Sequence, residues 1–272
     1  MSRLSFTPSH RTLRLGSIAL ALGLAVGGLT AAPASAASPL TGCKATITGQ
    51  ATVGLVLTAT PKKCSPNPTR YTYQWLRDGK KISKATKVTY KVTSKDAGTK
   101  LAVKITAKKS GYAATTKTSP TKKAGAVTAK MKDAEADAQA LYRAYPLSRS
   151  YTIKTLKEGG YTTAQATYGT DILHKNQNAQ AKAMAKYLIS QDVQSRVSTI
   201  VALKELKFTP AQAVYGADHA SANWNAQAVL AAKLILSQAP AATRAQVIEG
   251  LTMPKIGFTS AQATYAANKL GL

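Results

Sequence analysis

The sequence predicts a multidomain protein in which an all-β sandwich is followed by an all-α set of short-helix repeats. Residues 41–125 alternate apolar and polar side chains in short runs that turn residues separate. Residues 138–272 contain one helical sequence pattern that is repeated three times. A basic and then apolar segment precedes both parts, and 272 residues suffice for two folded cores.

The first 36 residues have the pattern of a signal peptide. Arg3, Arg11 and Arg14 precede an uncharged apolar run from residue 18 to about residue 30, and Ala34-Ser35-Ala36 provides a small-residue cleavage signal. The run is shorter than the about 20 apolar residues of a spanning helix. We therefore expect cleavage near Ala36 and a protein that is secreted or held at the surface of a Gram-positive type envelope.

Positive charge is concentrated in the β part. Residues 37–130 hold 19 lysines and arginines against two aspartates, a net charge of +17, whereas residues 131–272 hold 15 against nine acidic residues, a net charge of +6. Such a surface attracts anionic polymers, including those of a cell wall. Solubility alone also accounts for a lysine-rich surface, and both interpretations stay open. The candidate polyanion-binding residues are Lys80, Lys81, Lys84, Lys87, Lys108 and Lys109.

Two cysteines, Cys43 and Cys64, fall early in the predicted mature chain. In an oxidising compartment such a pair predicts a disulfide. The alternative is lipidation of Cys43, since Leu40-Thr41-Gly42-Cys43 has the form of a lipobox. Membrane contact is expected only in that second case.

Four apolar runs predict strand faces in the β part, and turn residues lie between them. The runs are Val53/Leu55/Leu57, Tyr71/Tyr73/Trp75, Val88/Tyr90/Val92 and Leu101/Val103/Ile105. Arg77-Asp78-Gly79-Lys80 predicts a hairpin turn. With Ile47-Thr48-Gly49, Asp96-Ala97-Gly98 and Gly111-Tyr112, these motifs resemble the bacterial Ig-like module of exported actinobacterial proteins. The resemblance implies a spacer or surface-binding module, with Trp75 in its core.

A change in composition separates the two parts. Residues 116–130 are rich in Thr, Ser, Pro, Lys and Gly, which is typical of a solvated linker, and residues 126–137 are predicted to hold the linker and a helix start. Three repeats are predicted to follow, at about 138–182, 183–231 and 232–272.

One seven-residue segment recurs in all three repeats, beginning at Thr162, Thr209 and Thr259. Thr followed three residues later by Gln predicts a capping box, and an aromatic residue precedes each copy. A second helix start recurs as Ser148-Arg149, Ser195-Arg196 and Thr243-Arg244. A third recurs as Asn178-Ala-Gln-Ala and Asn225-Ala-Gln-Ala, so that each repeat holds three short helices.

These repeats resemble the Ltp-like family of host cell surface-exposed lipoproteins. The residues that carry the resemblance are Ser195, Arg196, Phe208, Thr209, Ala213, Tyr215, Trp224 and Gln227, with Gly160-Tyr161 and Gly257-Phe258 in the other copies. The resemblance implies helix-turn-helix repeats. From the best-known members it also implies a surface protein that blocks DNA injection by a second phage through that phage's tail machinery.

The aromatic residues of the repeats are the candidate partner-binding residues: Phe208, Tyr215, Trp224, Tyr168 and Tyr265. Packing within or between repeats is the alternative role for the tyrosines. Arg149, Arg196 and Arg244 could contact phosphates of nucleic acid, but we expect each to begin a helix and to pair with Asp or backbone. No specific nucleic-acid partner is therefore expected.

Nothing in the sequence has the pattern of a catalytic, cofactor or metal site, so a non-enzymatic protein is expected. Asp218, His219 and Ser221 lie almost consecutively and lack a strained nucleophile turn. Glu158 and Glu205 occupy equivalent repeat positions, so they do not face each other across one cleft. The predicted function is an interaction protein of the cell surface that blocks phage DNA entry through its repeats, and the alternative is an adhesin or polyanion-binding module with the helices as spacer.

Overall fold

The computed structural model describes residues 37–272, and the predicted signal peptide therefore lies outside the described residues. A β region is followed by a helical region, which confirms the predicted order of a β part and an α part. Eight strands occupy the β region, with a 3-10 turn at Ser94–Asp96: β1 (Lys44–Thr48), β2 (Val56–Lys62), β3 (Arg70–Arg77), β4 (Lys80–Lys81), β5 (Thr89–Lys91), β6 (Lys100–Lys108), β7 (Thr115–Thr118) and β8 (Lys122–Lys123).

The strands form two antiparallel sheets around one core. One sheet has the order β1-β2-β5, and the other has the order β4-β3-β6-β7 with β8 also paired to β6. Leu57 of the first sheet and Trp75, Leu101 and Val103 of the second are fully buried together. The period-two pattern places these side chains on the inner faces, because successive strand residues point to opposite sides of a sheet.

Two predictions about the β region differ from the structure. Val88, predicted on an inward face with Tyr90, is 42% exposed, because β5 contains only residues 89–91. The segment predicted as a solvated linker forms β7 and β8, both hydrogen-bonded to β6. Its threonines suit a strand as well as a loop, and pairing with the long β6 decides between them.

Cys43 and Cys64 are joined by a disulfide. It lies where β1 begins and β2 has just ended, next to the paired residues Lys44 and Lys62. A bridge across this 21-residue separation stabilises the fold by about 3 kcal/mol in the chain-entropy model. Cys43 in this bond has no thiol left for lipidation.

The helical part consists of three trios of helices. Within each trio the first helix packs most extensively on the third. The trios are unit 1, with α1 (Ala129–Ala144), α2 (Arg149–Glu158) and α3 (Thr163–Asp171); unit 2, with α4 (Gln177–Gln191), α5 (Arg196–Glu205) and α6 (Pro210–His219); and unit 3, with α7 (Trp224–Gln238), α8 (Arg244–Thr252) and α9 (Ser260–Lys269).

The predicted repeat limits near 138, 183 and 232 fall inside α1, α4 and α7. The predicted repeats and the units of the structure have the same spacing, but their boundaries fall at different positions in the chain. The difference arises because the predicted limits do not follow the caps Thr128, Asn176 and Asn223, after which the first helix of each unit begins.

Helix capping follows the sequence closely. Each helix described begins after a Ser, Thr or Asn whose side chain accepts a backbone N–H. Thr162, Thr209 and Thr259 all form the predicted capping boxes with the Gln three residues on. Each cap contributes about 1 kcal/mol, so together they fix where the short helices start.

Candidate functional site

A groove rich in lysine lies on the β region and encloses about 560 Å³. It runs between β4, the loop of residues 82–87, β5 and the residues that lead into the 3-10 turn. Six cationic side chains line it, and no Asp or Glu is among the lining residues of this described region. The cations are Arg77, Lys81, Lys84, Lys87, Lys91 and Lys95.

The loop that carries Lys84 and Lys87 is held from beneath by β3. The indole Nε1 of Trp75 donates to the backbone oxygen of Lys87 over 3.0 Å, and Nε2 of Gln74 donates to that of Ile82 over 2.9 Å. The backbone N–H of Trp75 donates to Ala85 over 2.9 Å. Because core residues fix the loop backbone, its lysines are presented from a preorganised surface.

Asp96 and Tyr90 form a buried network next to the groove. The Asp96 side chain is fully buried and accepts hydrogen bonds from Arg77 Nε at 2.6 Å, from Tyr90 at 2.8 Å, and from the N–H and hydroxyl of Thr93 at 2.7 Å each. Burial alone raises the pKa of this carboxyl, but the hydrogen bonds from Thr93, Tyr90 and Arg77 outweigh burial and lower it. Asp96 therefore stays ionised. Its buried carboxylate pairs with Arg77 and not with the groove lysines.

The structure divides the six predicted polyanion-binding lysines between two places. Lys81, Lys84 and Lys87 line the groove, and exposed Lys80 adjoins it on β4. Lys108 and Lys109 lie near the opposite end of β3, since Arg70 pairs with Lys108 whereas Arg77 pairs with Lys80. Seven residues of strand separate these ends, a span of roughly 23 Å. Lys109 also donates from Nζ to the backbone oxygen of Asn67.

Sequence reasoning missed three groove cations, Arg77, Lys91 and Lys95. A signal existed for Lys91, because Thr89 and Lys91 flank the inward Tyr90 and so point outward in a strand. Lys95 had no comparable signal, because a 3-10 turn sets its direction.

The predicted partner-binding aromatic residues of the helical part differ in exposure. Tyr168 and Phe208 are buried and belong to the interior of units 1 and 2, so they are not available to a partner. Tyr215 and Trp224 are half-buried, and Tyr215 stacks on the His219 ring. Tyr265 is 45% exposed.

One arginine begins the second helix of each unit, as expected, and each of these three arginines has a local partner. Arg149 and Arg196 form ion pairs with Asp171 and Asp218, each 22 residues on. The guanidinium of Arg196 lowers the pKa of Asp218. In unit 3, Asn268 stands at the aspartate position, and Arg244 donates to the main-chain oxygen of Leu272 over 2.9 Å.

Asp218 and His219 are thus engaged in structural contacts. Asp218 binds Arg196, and Nδ1 of His219 lies 2.8 Å from the backbone oxygen of Tyr215. Over residues 37–272, no group of three His, Cys, Asp or Glu side chains is arranged to hold a metal ion. None of the helices described there is both long and apolar enough to cross a membrane.

No protein-family model, no curated protein and no solved structure matches this chain.

Proposed function

We propose that this chain is an exported surface protein whose β region binds anionic polymers through the lysine-rich groove. The single observation that carries the proposal is the convergence of six cations on one groove that no carboxylate lines. The net charge of +17 over residues 37–130 adds a long-range attraction for the same ligands. Repeated phosphate or carboxylate groups of a cell-wall polymer are the proposed ligand.

The proposed export and module type rest on sequence. The leader pattern of residues 1–36 and the disulfide-bonded cysteines both favour an oxidising, extracytoplasmic setting. We propose an Ig-like module for the β region, supported by the motif resemblance and by two antiparallel sheets that share a core around Trp75.

Retention on purified cell walls tests the groove. The double variant Lys84→Gln/Lys87→Gln removes two groove charges, and Lys108→Gln/Lys109→Gln removes the same charge elsewhere on the β region. At about 0.1 M salt, where exposed charges interact over about 10 Å, we expect the groove variant to be released and the control variant to be retained. Equal loss with both variants would favour non-specific attraction by the total charge, and no loss with either would contradict binding through Lys84 and Lys87.

For the helical part we propose a role in binding a protein partner, as the Ltp-like resemblance implies, with blocking of phage DNA entry as the specific form. The test is to express the full chain, and a version that ends at Val127, in a susceptible bacterium. Phage adsorption and DNA entry are then scored separately. Normal adsorption with failed DNA entry only when the helices are present supports blocking, and unaffected phages across a panel would refute it.

A further inference from the structure

An apolar groove crosses the junction between unit 2 and unit 3. It encloses about 360 Å³, and most of the surface that lines it is apolar. Buried Leu251 and Phe258 lie at its base. Leu234, Met253 and Ile256 also line it and are 50%, 55% and 39% exposed. Large apolar side chains that stay this exposed together indicate a surface that another molecule covers.

The repeat itself explains why the groove is open at this junction. Unit 1 meets unit 2 through Tyr145, Tyr151, Met184 and Tyr187, and the rings of Tyr145 and Tyr187 pack edge to face at 5.8 Å. The residues 47 positions later are Asp192, Ser198, Ala231 and Leu234, and all four line the groove. Three tyrosines and a methionine are thus replaced by smaller side chains at the second junction.

Unit 3 adds apolar surface at the same place. Met253 occupies the repeat position of Glu158 and Glu205, so a charged residue is replaced by an apolar one. The connection between α8 and α9, residues 253–259, is three residues longer than the matching connection in unit 2, residues 206–209, and the longer connection contains Ile256. Substitution and insertion together therefore make a groove that the other units do not have in this form.

We infer that this groove binds an acidic, amphipathic helical segment of a partner protein that inserts aromatic or large aliphatic side chains. The first junction shows which side chains fit, since tyrosine rings occupy the matching positions there. Lys255 and Asp192 are the two charged residues that line the groove, and Lys255 is exposed. The net charges of +6 over residues 131–272 and +17 over residues 37–130 favour an acidic partner and oppose a second copy of this chain.

The inference rests on the proposed partner-binding role of the helical part, and it is independent of the lysine-rich groove. The occupant follows the helix-in-groove mode, in which side chains at i, i+3, i+4 and i+7 enter an apolar channel. Asp192 and Lys255 then set the orientation of the segment rather than its affinity.

The test uses the whole protein and a set of fluorescent 16-residue peptides. Each peptide carries Tyr, Phe or Leu at the i, i+3, i+4 and i+7 positions and Glu on the opposite face. Matched peptides have Ala at the apolar positions, or Lys in place of Glu. We expect fluorescence anisotropy to give a micromolar Kd for at least one acidic apolar peptide, and at least tenfold weaker binding for its matched partners.

Two variants locate the binding. Asp192→Tyr/Ser198→Tyr restores the tyrosines of the first junction and should weaken binding at least tenfold while the protein stays folded. Leu234→Gln alters an exposed side chain and serves if the double variant fails to fold. Val214→Ser, at an exposed apolar residue of α6 outside the groove lining, should change Kd less than twofold.

Several results would overturn the inference. They are the absence of binding by every peptide, binding that neither groove variant weakens, and a dimer that the double variant abolishes, which would assign the groove to a second copy. Binding that appears only after removal of residues 1–36 would assign it to that segment instead. If DNA entry is still blocked by the double variant, the proposed partner-binding role stands and this site for it is wrong.

Discussion

Arg77 donates from Nε to a carboxylate oxygen of Asp96 at 2.6 Å, and the Asp96 side chain is fully buried while Arg77 reaches the lysine-rich groove. The contact joins the interior of the β region to its candidate binding surface. The same carboxylate accepts hydrogen bonds from the hydroxyls of Thr93 and Tyr90, which line the groove. The groove therefore depends on an ionised Asp96.

Replacement of that carboxylate is expected to destabilise the β region. Asp96→Asn removes the negative charge that pairs with Arg77, and it replaces one of the two acceptor oxygens, which bind Arg77, Tyr90 and Thr93, by an NH2 donor. We expect a loss of about 2–4 kcal/mol in the free energy of unfolding, since it breaks a buried, charge-assisted network. Urea unfolding measures it. Asp78→Asn, at an exposed aspartate that accepts one backbone N–H from Lys100, is the control and should lose less than half as much.

Asp96 also predicts how stability depends on pH. Its pKa is lowered by folding, so its contribution is fully present above the unfolded value of about 3.9 and is lost as pH falls through the folded pKa. Wild-type protein should therefore lose unfolding free energy below about pH 4 more steeply than Asp96→Asn. Parallel acid dependences for the two proteins would contradict this assignment.

A left-handed residue precedes the aromatic residue of each repeat. The three are Gly160, Lys207 and Gly257, with φ of 93°, 64° and 78°. Because a non-glycine residue is strained there, exposed Lys207→Gly should stabilise by about 0.5–1 kcal/mol in thermal unfolding. Lys204→Gly, within α5, should instead destabilise by about 1 kcal/mol. If both changes destabilise, the left-handed strain is not the controlling effect.

Close helix packing depends on two glycines that face backbone. A Cβ added to Gly169 would lie 2.4 Å from the Ala134 carbonyl group, and one added to Gly216 would lie 2.7 Å from the Ala181 oxygen. Gly169→Ala and Gly216→Ala should each cost about 1–3 kcal/mol. Unit 3 already has Ala266 at this position, so Ala266→Gly should cost only about 1 kcal/mol. Thermal unfolding compares the three.

The disulfide is tested by the mass of the exported protein. We expect a mature chain that begins near Ala37 and weighs two hydrogens less than its reduced form. Cys43→Ala/Cys64→Ala should then lose about 3 kcal/mol of stability. A lipid-modified chain that begins at Cys43 would contradict the disulfide and support the lipobox alternative.

Local rules predicted much of this fold. The Thr-Gln capping boxes at Thr162, Thr209 and Thr259 depend only on neighbours in sequence, as does the inward alternation that buries Trp75. Pairing with β6 turned a linker-like segment into β7 and β8, which no local signal foresaw. Lys108 and Lys109 lie far from Lys81 because strand register, not sequence spacing, sets that distance.

The same contrast between local sequence patterns and tertiary packing holds for the candidate sites. Phe208 and Tyr168 are candidate partner-binding residues from sequence, yet both are buried, and packing within a unit, the alternative role for the tyrosines, accounts for Tyr168. The apolar groove lies at positions where the residue type changes between repeats, such as Ser198, which corresponds to Tyr151 of unit 1. Only the structure showed that these departures meet at one junction.

The most direct test of the central claim is the affinity of the full chain for poly(glycerol phosphate), measured by calorimetry over a range of salt concentrations. We predict that binding weakens steeply as salt rises, and that Lys84→Gln/Lys87→Gln gives weaker binding with a shallower salt dependence, while Lys108→Gln/Lys109→Gln stays close to wild type. Identical affinities and salt dependences for the two double variants would contradict a specific groove on the β region.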